Sequence, residues 1–508
     1  MTNPSPQSSV ASRRSTLVRR ALVLRADDLG RRVINGATFQ FLGIMLRTVI
    51  TIGSTAILAR LLTPADFGYI AMATVVTELA ALFSNFGFNN LLIQRRVISR
   101  LQMDTVFWAG TALGVLLAAA VFVMSFFADW LFDDALVGDL LKVLCLPFLM
   151  IGLTIIPGVV LARLMHFRTD FWIQITTIVT RTLVAIGFAW IGFGVWSLVA
   201  GALTSTLVQV VLGCAVVPYR PRLRFHLPYI MSTWRTSSSY FGGGLLFYAN
   251  MNVDLMLIGR QLGAVSLGYY QTARSLTDEI RARIAMPLQH VLFPAFAAVQ
   301  ADPERGREML MRSGRMLAAI VIPIGFGVSA TAPELVPTLY GPQWSAMIPV
   351  MSMFGLSAAL KASMAIATPL FNAHNRVGLA LKYNVVSSLL VVAAIWLTLP
   401  YGIEAVAQGL VLVSFYSLIP FRTALGLIGL GFRHIWQILG LPTLAAVVLW
   451  ASVYLARPFS TEWISMAGGR LALYVVLGGC VYLLTLHLLS RQYLRDFSDL
   501  ARRFLHRS

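Results

Sequence analysis

Five ionisable residues stand inside long apolar runs, where charge is expensive. Arg47, Glu78, Arg181, Asp254 and Lys361 each fall mid-run in stretches of about 20 residues or more, long enough to cross about 30 Å of hydrocarbon as a helix. A charge at the bilayer centre costs about 3 kcal/mol on insertion scales, so five facing lipid would cost on the order of 15 kcal/mol together. They must face a polar cavity or one another. For Arg47, Arg181 and Lys361 the functional reading is a cationic path for an anionic group, because a guanidinium fork matches paired anionic oxygens. The competing reading is an ion pair between helices with Glu78 or Asp254. Arg60 and Arg260 lie near helix ends, where snorkelling is the ordinary explanation and a direct substrate contact the alternative.

Asp254 has polar company. Asn250 lies one turn before it, on the same helix face, and Asn252 two residues before it, so the three form a compact polar patch. A low-dielectric setting favours the neutral form of a carboxylate, so Asp254 could exchange a proton and bias two conformations. Equally, it could stay ionised as a latch to an arginine. Glu78 is the next candidate for ion coupling. Further on, Arg274, Asp278, Glu279, Arg281 and Arg283 crowd one helix-length segment, with Arg274 and Asp278, and Glu279 and Arg283, four residues apart for pairing. That segment either lines a cavity or has its inner half in the membrane interface, where charge pairs are cheap. Tyr240, Tyr248, Tyr269 and Tyr270 suit stacking on a ligand and interface anchoring alike.

Other chemistries are poorly supported. Cys145, Cys214 and Cys480 stand alone in apolar segments with no histidine at ligand spacing, so neither a disulfide framework nor a metal site is expected. No GxSxG, HExxH or GxxxxGK[ST] pattern occurs, so no enzyme activity and no cofactor is expected. The net charge of +19 comes from basic residues scattered between apolar runs rather than gathered in a stripe, which argues against nucleic acid.

The elements that hold these residues follow from the apolar runs. Hydrophobic residues are 57% of the 508 and charged residues only 12%, with a mean hydropathy of +0.75, against about 25% charge in soluble domains. The expected fold is an all-α polytopic membrane protein of about fourteen transmembrane helices. Spans are expected near 35–62, 67–92, 104–128, 135–162, 171–192, 194–217, 238–262, 266–292, 316–339, 345–371, 379–400, 402–425, 435–457 and 466–489. Every second connection is basic, through Arg95, Arg96 and Arg100; Arg163 and Arg168; Arg220, Arg222, Arg224 and Arg235; the cluster from Arg305 to Arg315; Arg376; Arg433; and the tail from Arg491 to Arg507. By the positive-inside rule these face the cytoplasm, and both termini with them. Asp129, Asp133, Asp134, Asp139 and the Pro400–Gly402 turn face outward. An even span count agrees with both ends on one side. Residues 16–32 read either as a basic amphipathic segment on the anionic leaflet or as a basic tail.

An internal echo divides the chain. Ile57 to Leu62 followed by Gly68 and Tyr69 is matched by Leu257 to Leu262 followed by Gly268 and Tyr269, and Gly194 and Gly201 by Gly402 and Gly409. The matches fall at corresponding points of two six-span blocks of like orientation, which suggests parallel pseudo-repeats. The expected organisation is a basic cytoplasmic segment 1–34, an amino-terminal lobe 35–217 of six helices, a basic cytoplasmic linker 218–237, a carboxy-terminal lobe 238–425 of six helices, two appended helices in 426–490, and a basic cytoplasmic tail 491–508.

Leu61 to Thr74 (LLTPADFGYIAMAT), continued by Phe83 to Phe88 and Leu92 to Arg95, resembles the amino-terminal signature of Wzx-type polysaccharide flippases. Asn252 to Asp254, Leu257 to Arg260, Leu267 to Tyr270 and Leu292 to Phe296 are similar to that family's middle region. The resemblance covers essentially the whole chain after residue 30. It implies membership of the multidrug, oligosaccharidyl-lipid and polysaccharide exporter superfamily, in the bacterial inner membrane. It implies passage of undecaprenyl-diphosphate-linked oligosaccharides from the cytoplasmic to the periplasmic leaflet, for exopolysaccharide, capsule or O-antigen synthesis. A polysaccharide polymerase and an export complex are the implied partners besides the lipid bilayer. Two alternatives stand beside it. A multidrug cation antiporter of the same superfamily would be expected to have twelve spans and an acidic cavity, and a membrane polysaccharide ligase or polymerase a large outward loop.

Overall fold

The computed structural model describes residues 29–84, 92, 93, 95, 97–300, 302–361 and 364–489. The expected basic segment 1–34, apart from its last six residues, and the tail 491–508 lie outside the described residues, as does Arg96. Among the described residues, eleven helices are long and apolar enough to cross a membrane. A pair bent by 46°, Ala135–Leu149 with Ile151–Arg163, makes a twelfth. The two other expected spans, 238–262 and 266–292, are also helical, inside the 72-residue stretch Leu227–Ala298 that breaks at Gly263. All fourteen expected places therefore carry helix.

The chain forms two compact units, Met1–Ala264 and Val265–Ser508. The first holds α1 (Leu29–Leu61), α2 (Pro64–Ser84), α3 (Arg100–Ser125), α4 (Ala135–Leu144), α5 (Ile151–Arg163), α6 (Phe167–Trp190) and α7 (Trp196–Val216). The broken helix α8 (Leu227–Ala298) runs on from the first unit into the second. The second continues with α9 (Pro303–Leu339), α10 (Ile348–Lys361), α11 (Met364–Ala373), α12 (Val377–Thr398), α13 (Ile403–Ser414), α14 (Leu418–Leu427), α15 (Leu441–Trp463) and α16 (Ala467–Leu489).

Local chemistry explains where helices begin. Before α2, the Thr63 N–H and hydroxyl both donate to Asp66 Oδ2, at 2.9 and 2.8 Å, and the Asp66 N–H donates back to the Thr63 hydroxyl at 3.3 Å. Pro64 occupies the first helical position, where its missing N–H is no loss. The Thr-Pro-Ala-Asp run is thus a reciprocal cap. Ser99 and Gln102 form the same kind of box at the start of α3, and Asp302 caps α9 ahead of Pro303.

Packing then fixes each unit. In the first, α1 and α6 lie together through Leu58, Leu62, Ala185 and Ala189, while Met103, Val106, Ile156 and Val160 join α3 to α5. In the second, Leu317, Ile322, Phe371, Phe421, Leu449 and Tyr474 join α9 to α11, α14, α15 and α16. Gly325 of α9 and Gly355 of α10 let two backbones touch, since a Cβ on either would come within 2.6 Å of the other's carbonyl oxygen. Large apolar side chains also cover the outside: Trp190 is 81% exposed and Leu488 75%. A helical protein with an apolar exterior belongs in lipid.

Candidate functional site

In the first unit the charged residues follow a helix stripe. Asp170, Gln174, Thr177 and Arg181 recur on α6 at steps of four, three and four, so they share one face. Arg47 of α1 meets the near end of that stripe. Its Nε donates to the Gly43 carbonyl at 3.1 Å, and its guanidinium is close enough to Asp170 for the charges to attract. Gln174 Nε2 donates to Asp170 Oδ2 at 2.5 Å. Phe39, Gln40, Arg47, Asp170 and Gln174 line one small gap. Arg181 lies eleven residues further on, about 16 Å along the helix. It is exposed, and its backbone packs against Gly201 of α7, where a Cβ would come 2.8 Å from the Arg181 carbonyl oxygen.

A second polar neighbourhood joins α2 to α8. The Tyr248 hydroxyl donates to the Val75 carbonyl, and Glu78, one turn further along α2, is near enough for its charge to act on that phenol. Asn252 is half-buried and donates from Nδ2 to the Tyr248 carbonyl at 3.3 Å. Asp254 is buried, and its Oδ1 accepts from the Leu255 N–H at 3.0 Å. The Asn250 side chain lies outside the described residues. Glu78, Tyr248 and Asn252 thus share a neighbourhood.

In the second unit, basic side chains gather around one carboxylate. Arg281 Nη2 lies 3.1 Å from Asp278 Oδ1, and Arg274 Nε 3.5 Å from Asp278 Oδ2. The Lys361 ammonium, at the end of α10, also acts on Asp278. Arg283 pairs with Glu279 at 2.5 Å. Both expected four-residue pairs therefore form. Arg281 borders a narrow gap with Thr277, Gly325 and Gly355, so the glycine crossing of α9 and α10 sets the width available beside it.

The aromatic residues divide differently. Tyr270 is fully buried with its ring edge-on to Phe354, and the Tyr269 hydroxyl donates to the Gln343 carbonyl at 3.1 Å beside Trp344. Both serve packing. The Arg260 guanidinium sits 5.4 Å above the Trp130 ring, an anchoring contact near a helix end.

Sequence reasoning missed three contributors. Asp170 lies one residue before the span expected from 171, although its 4-3-4 spacing with Gln174, Thr177 and Arg181 marks it. Arg163, read only as a topology charge, is buried and donates to the carbonyls of Leu92 at 2.5 Å and Arg95 at 2.6 Å, tethering that connection to α5. Glu334 is buried in α9 and faces Arg457 of α15 at 3.5 Å, while Arg457 also donates to the Ala330 carbonyl. No short-range signal marks that pair.

Comparison with known proteins agrees with this architecture. Residues 57–349, more than half of the chain, match the family described as polysaccharide biosynthesis protein. The succinoglycan biosynthesis transport protein ExoT of Rhizobium meliloti is 27% identical over 464 residues, covering 88% of this chain and 91% of ExoT. The lipopolysaccharide biosynthesis protein WzxC of Escherichia coli is 26% identical over 381 residues, covering 72% of this chain and 75% of WzxC. Among solved structures, the lipid II flippase MurJ in an inward closed conformation aligns over 91% of this chain and all of its own, with a TM-score of 0.71 at 12% identity. That likeness shows the fold.

Proposed function

We propose, because the chain belongs to the polysaccharide biosynthesis protein family, that it is a multi-pass membrane carrier that flips lipid-linked oligosaccharides between leaflets. The substrate is an undecaprenyl-diphosphate-linked repeat unit, moved from the cytoplasmic to the periplasmic leaflet of the bacterial inner membrane, with both termini in the cytoplasm. A polymerase and an export machinery take the product onward. The physical problem is specific. The lipid tail can stay in hydrocarbon, but the diphosphate and its sugars cannot cross without a polar, cationic path.

The observation that carries the reading is the convergence of Arg274, Arg281 and Lys361 on a single carboxylate, Asp278. Arg47 and Arg181, spaced along one face of α1 and α6, supply the corresponding charge in the first unit. Each holds a cation where an anionic headgroup can trade places with a protein carboxylate. Asn252 adds neutral hydrogen-bonding capacity for sugars, and Asn250 is proposed beside it. No step of this passage breaks a covalent bond.

Reconstituted vesicles test the proposal. A lipid-linked oligosaccharide supplied in one leaflet should become accessible to an impermeant glycosidase added on the other side, with its mass unchanged. Arg281→Gln and Lys361→Gln should slow that change on the order of tenfold each, equivalent to about 1.4 kcal/mol. A changed mass would mean an enzyme. Export of organic cations without movement of the oligosaccharide would mean a drug antiporter.

A further inference from the structure

The connection from α7 to α8 is not a free loop. Residues 217–226 lie across the start of α3, held by four bonds. The Tyr219 hydroxyl donates to Asp104, the Arg222 N–H donates to Asp104 Oδ1 at 3.1 Å, Trp108 Nε1 donates to the Arg222 carbonyl at 2.9 Å, and the His226 N–H donates to the Thr105 hydroxyl at 3.1 Å. Asp104 and Thr105 are buried beneath it, and the strap's own Val217 is buried too. Burial and the bond to Asp104 push the Tyr219 phenol well above its usual range, so it remains a donor at neutral pH. This is a fixed strap.

What the strap shows outward is unusual for a connection. Leu223 is 88% exposed, Phe225 54%, Leu227 53% and Met231 65%. Exposed Arg220, Arg222 and Arg224 alternate with them, and no acidic residue occurs between Asp170 and Asp254. The strap's height is set by its neighbours. It begins one residue after α7 ends, and it rests on the first three turns of α3, and both helices are candidate membrane spans. It therefore lies at the level where hydrocarbon gives way to headgroups, where apolar side chains reach acyl chains and arginines reach phosphates.

We propose that the strap, residues 217–227 with Met231, is a docking surface for anionic phospholipid, with Leu223 and Phe225 seated among the acyl chains and Arg220, Arg222 and Arg224 on the headgroups. Charge complementarity selects this occupant, since three exposed arginines outnumber the one buried carboxylate beneath them, Asp104, and attract an anionic leaflet. Continuity with two spans supplies the acyl region within reach. The inference rests on where the strap lies in the membrane and is independent of the cargo.

Depth-dependent quenching tests it on the full chain. With Cys145, Cys214 and Cys480 replaced by serine, an environment-sensitive fluorophore is attached at Leu223→Cys or Phe225→Cys, and the protein is placed in lipid nanodiscs. Bromine-labelled acyl chains should quench both positions and aqueous iodide should leave them bright. With brominated phosphatidylglycerol and brominated phosphatidylcholine compared at equal mole fraction, the anionic lipid should quench several-fold more. Arg220, Arg222 and Arg224 changed together to Gln should bring the two lipids to parity. Strong iodide quenching with no effect of bromolipid would overturn the proposal and leave the strap facing water, open to a soluble partner. Equal quenching by both lipids in the chain with its arginines intact would also overturn it, because selection by charge would be absent. Transport is not the readout, so failure here leaves the flippase reading untouched, and the reverse holds.

Discussion

Gly68 lies against the carbonyl of Ala264, so close that a Cβ at position 68 would sit 1.8 Å from that oxygen. The contact joins the start of α2 to α8 one residue past its break, where Gly263 takes φ 76° and ψ 177°, a conformation essentially closed to other residues. One glycine makes room and the other makes the bend. Gly68→Ala must displace backbone, at a cost of about 1–3 kcal/mol for overpacking. Gly263→Ala meets no atom within 4 Å, so its cost is backbone strain alone, also about 1–3 kcal/mol. Both variants should melt several degrees lower in detergent. Gly53→Ala, which has open space around it, should melt with the native chain.

Arg47 and Asp170 should behave as a coupled pair. Arg47→Ala should reduce polymer output on the order of tenfold while the protein still reaches the membrane, and Arg47→Lys should retain more activity, because the charge survives while the fork geometry is lost. Asp170→Asn keeps the hydrogen bond with Gln174 in reach and removes only the charge facing Arg47. If the two residues act together, the double variant Arg47→Gln with Asp170→Asn will fall short of the summed losses of the singles. Additive losses would separate them.

Topology is testable without any substrate. Reporters fused after Arg224 and Arg491 should report cytoplasm, and fusions after Asp134 and Tyr401 should report periplasm. Asp134 caps α4 and Tyr401 is 80% exposed, so fusions there disturb no core. A periplasmic carboxy terminus would break the even span count.

Helix placement was legible because a membrane imposes a length, and run lengths near that value place helices without knowledge of their neighbours. The pairs Arg274 with Asp278 and Glu279 with Arg283 were legible for the same kind of reason, since a helix brings residues four apart together on its own. Partners across helices were not. Arg47 meets Asp170, Arg163 reaches the carbonyls of Leu92 and Arg95, and Glu334 meets Arg457 only because particular helices cross at particular heights. Periodicity reveals which face a residue occupies, and says nothing of what lies opposite. The Thr63–Asp66 cap lies between these cases. Its spacing is local, yet in the sequence it reads as part of a family signature, and only the hydrogen bonds of the folded chain show the cap.

Asp254 offers the sharpest test of how transport is driven. It is buried in α8, where its Oδ1 accepts from the N–H of Leu255. Tyr248 joins the same helix stretch to α2 through the Val75 carbonyl, and Asn252 donates to the Tyr248 carbonyl, so a change at Asp254 has a short route to a second helix. If protonation there biases the carrier between two conformations, a pH gradient across the vesicle will accelerate flipping in the native chain. Asp254→Asn, fixed in the neutral form, should still bind the lipid-linked oligosaccharide but lose the acceleration. Full acceleration in Asp254→Asn would remove Asp254 as the coupling residue. The same measurement on Glu78→Gln then decides whether the exposed carboxylate on α2 takes that role instead.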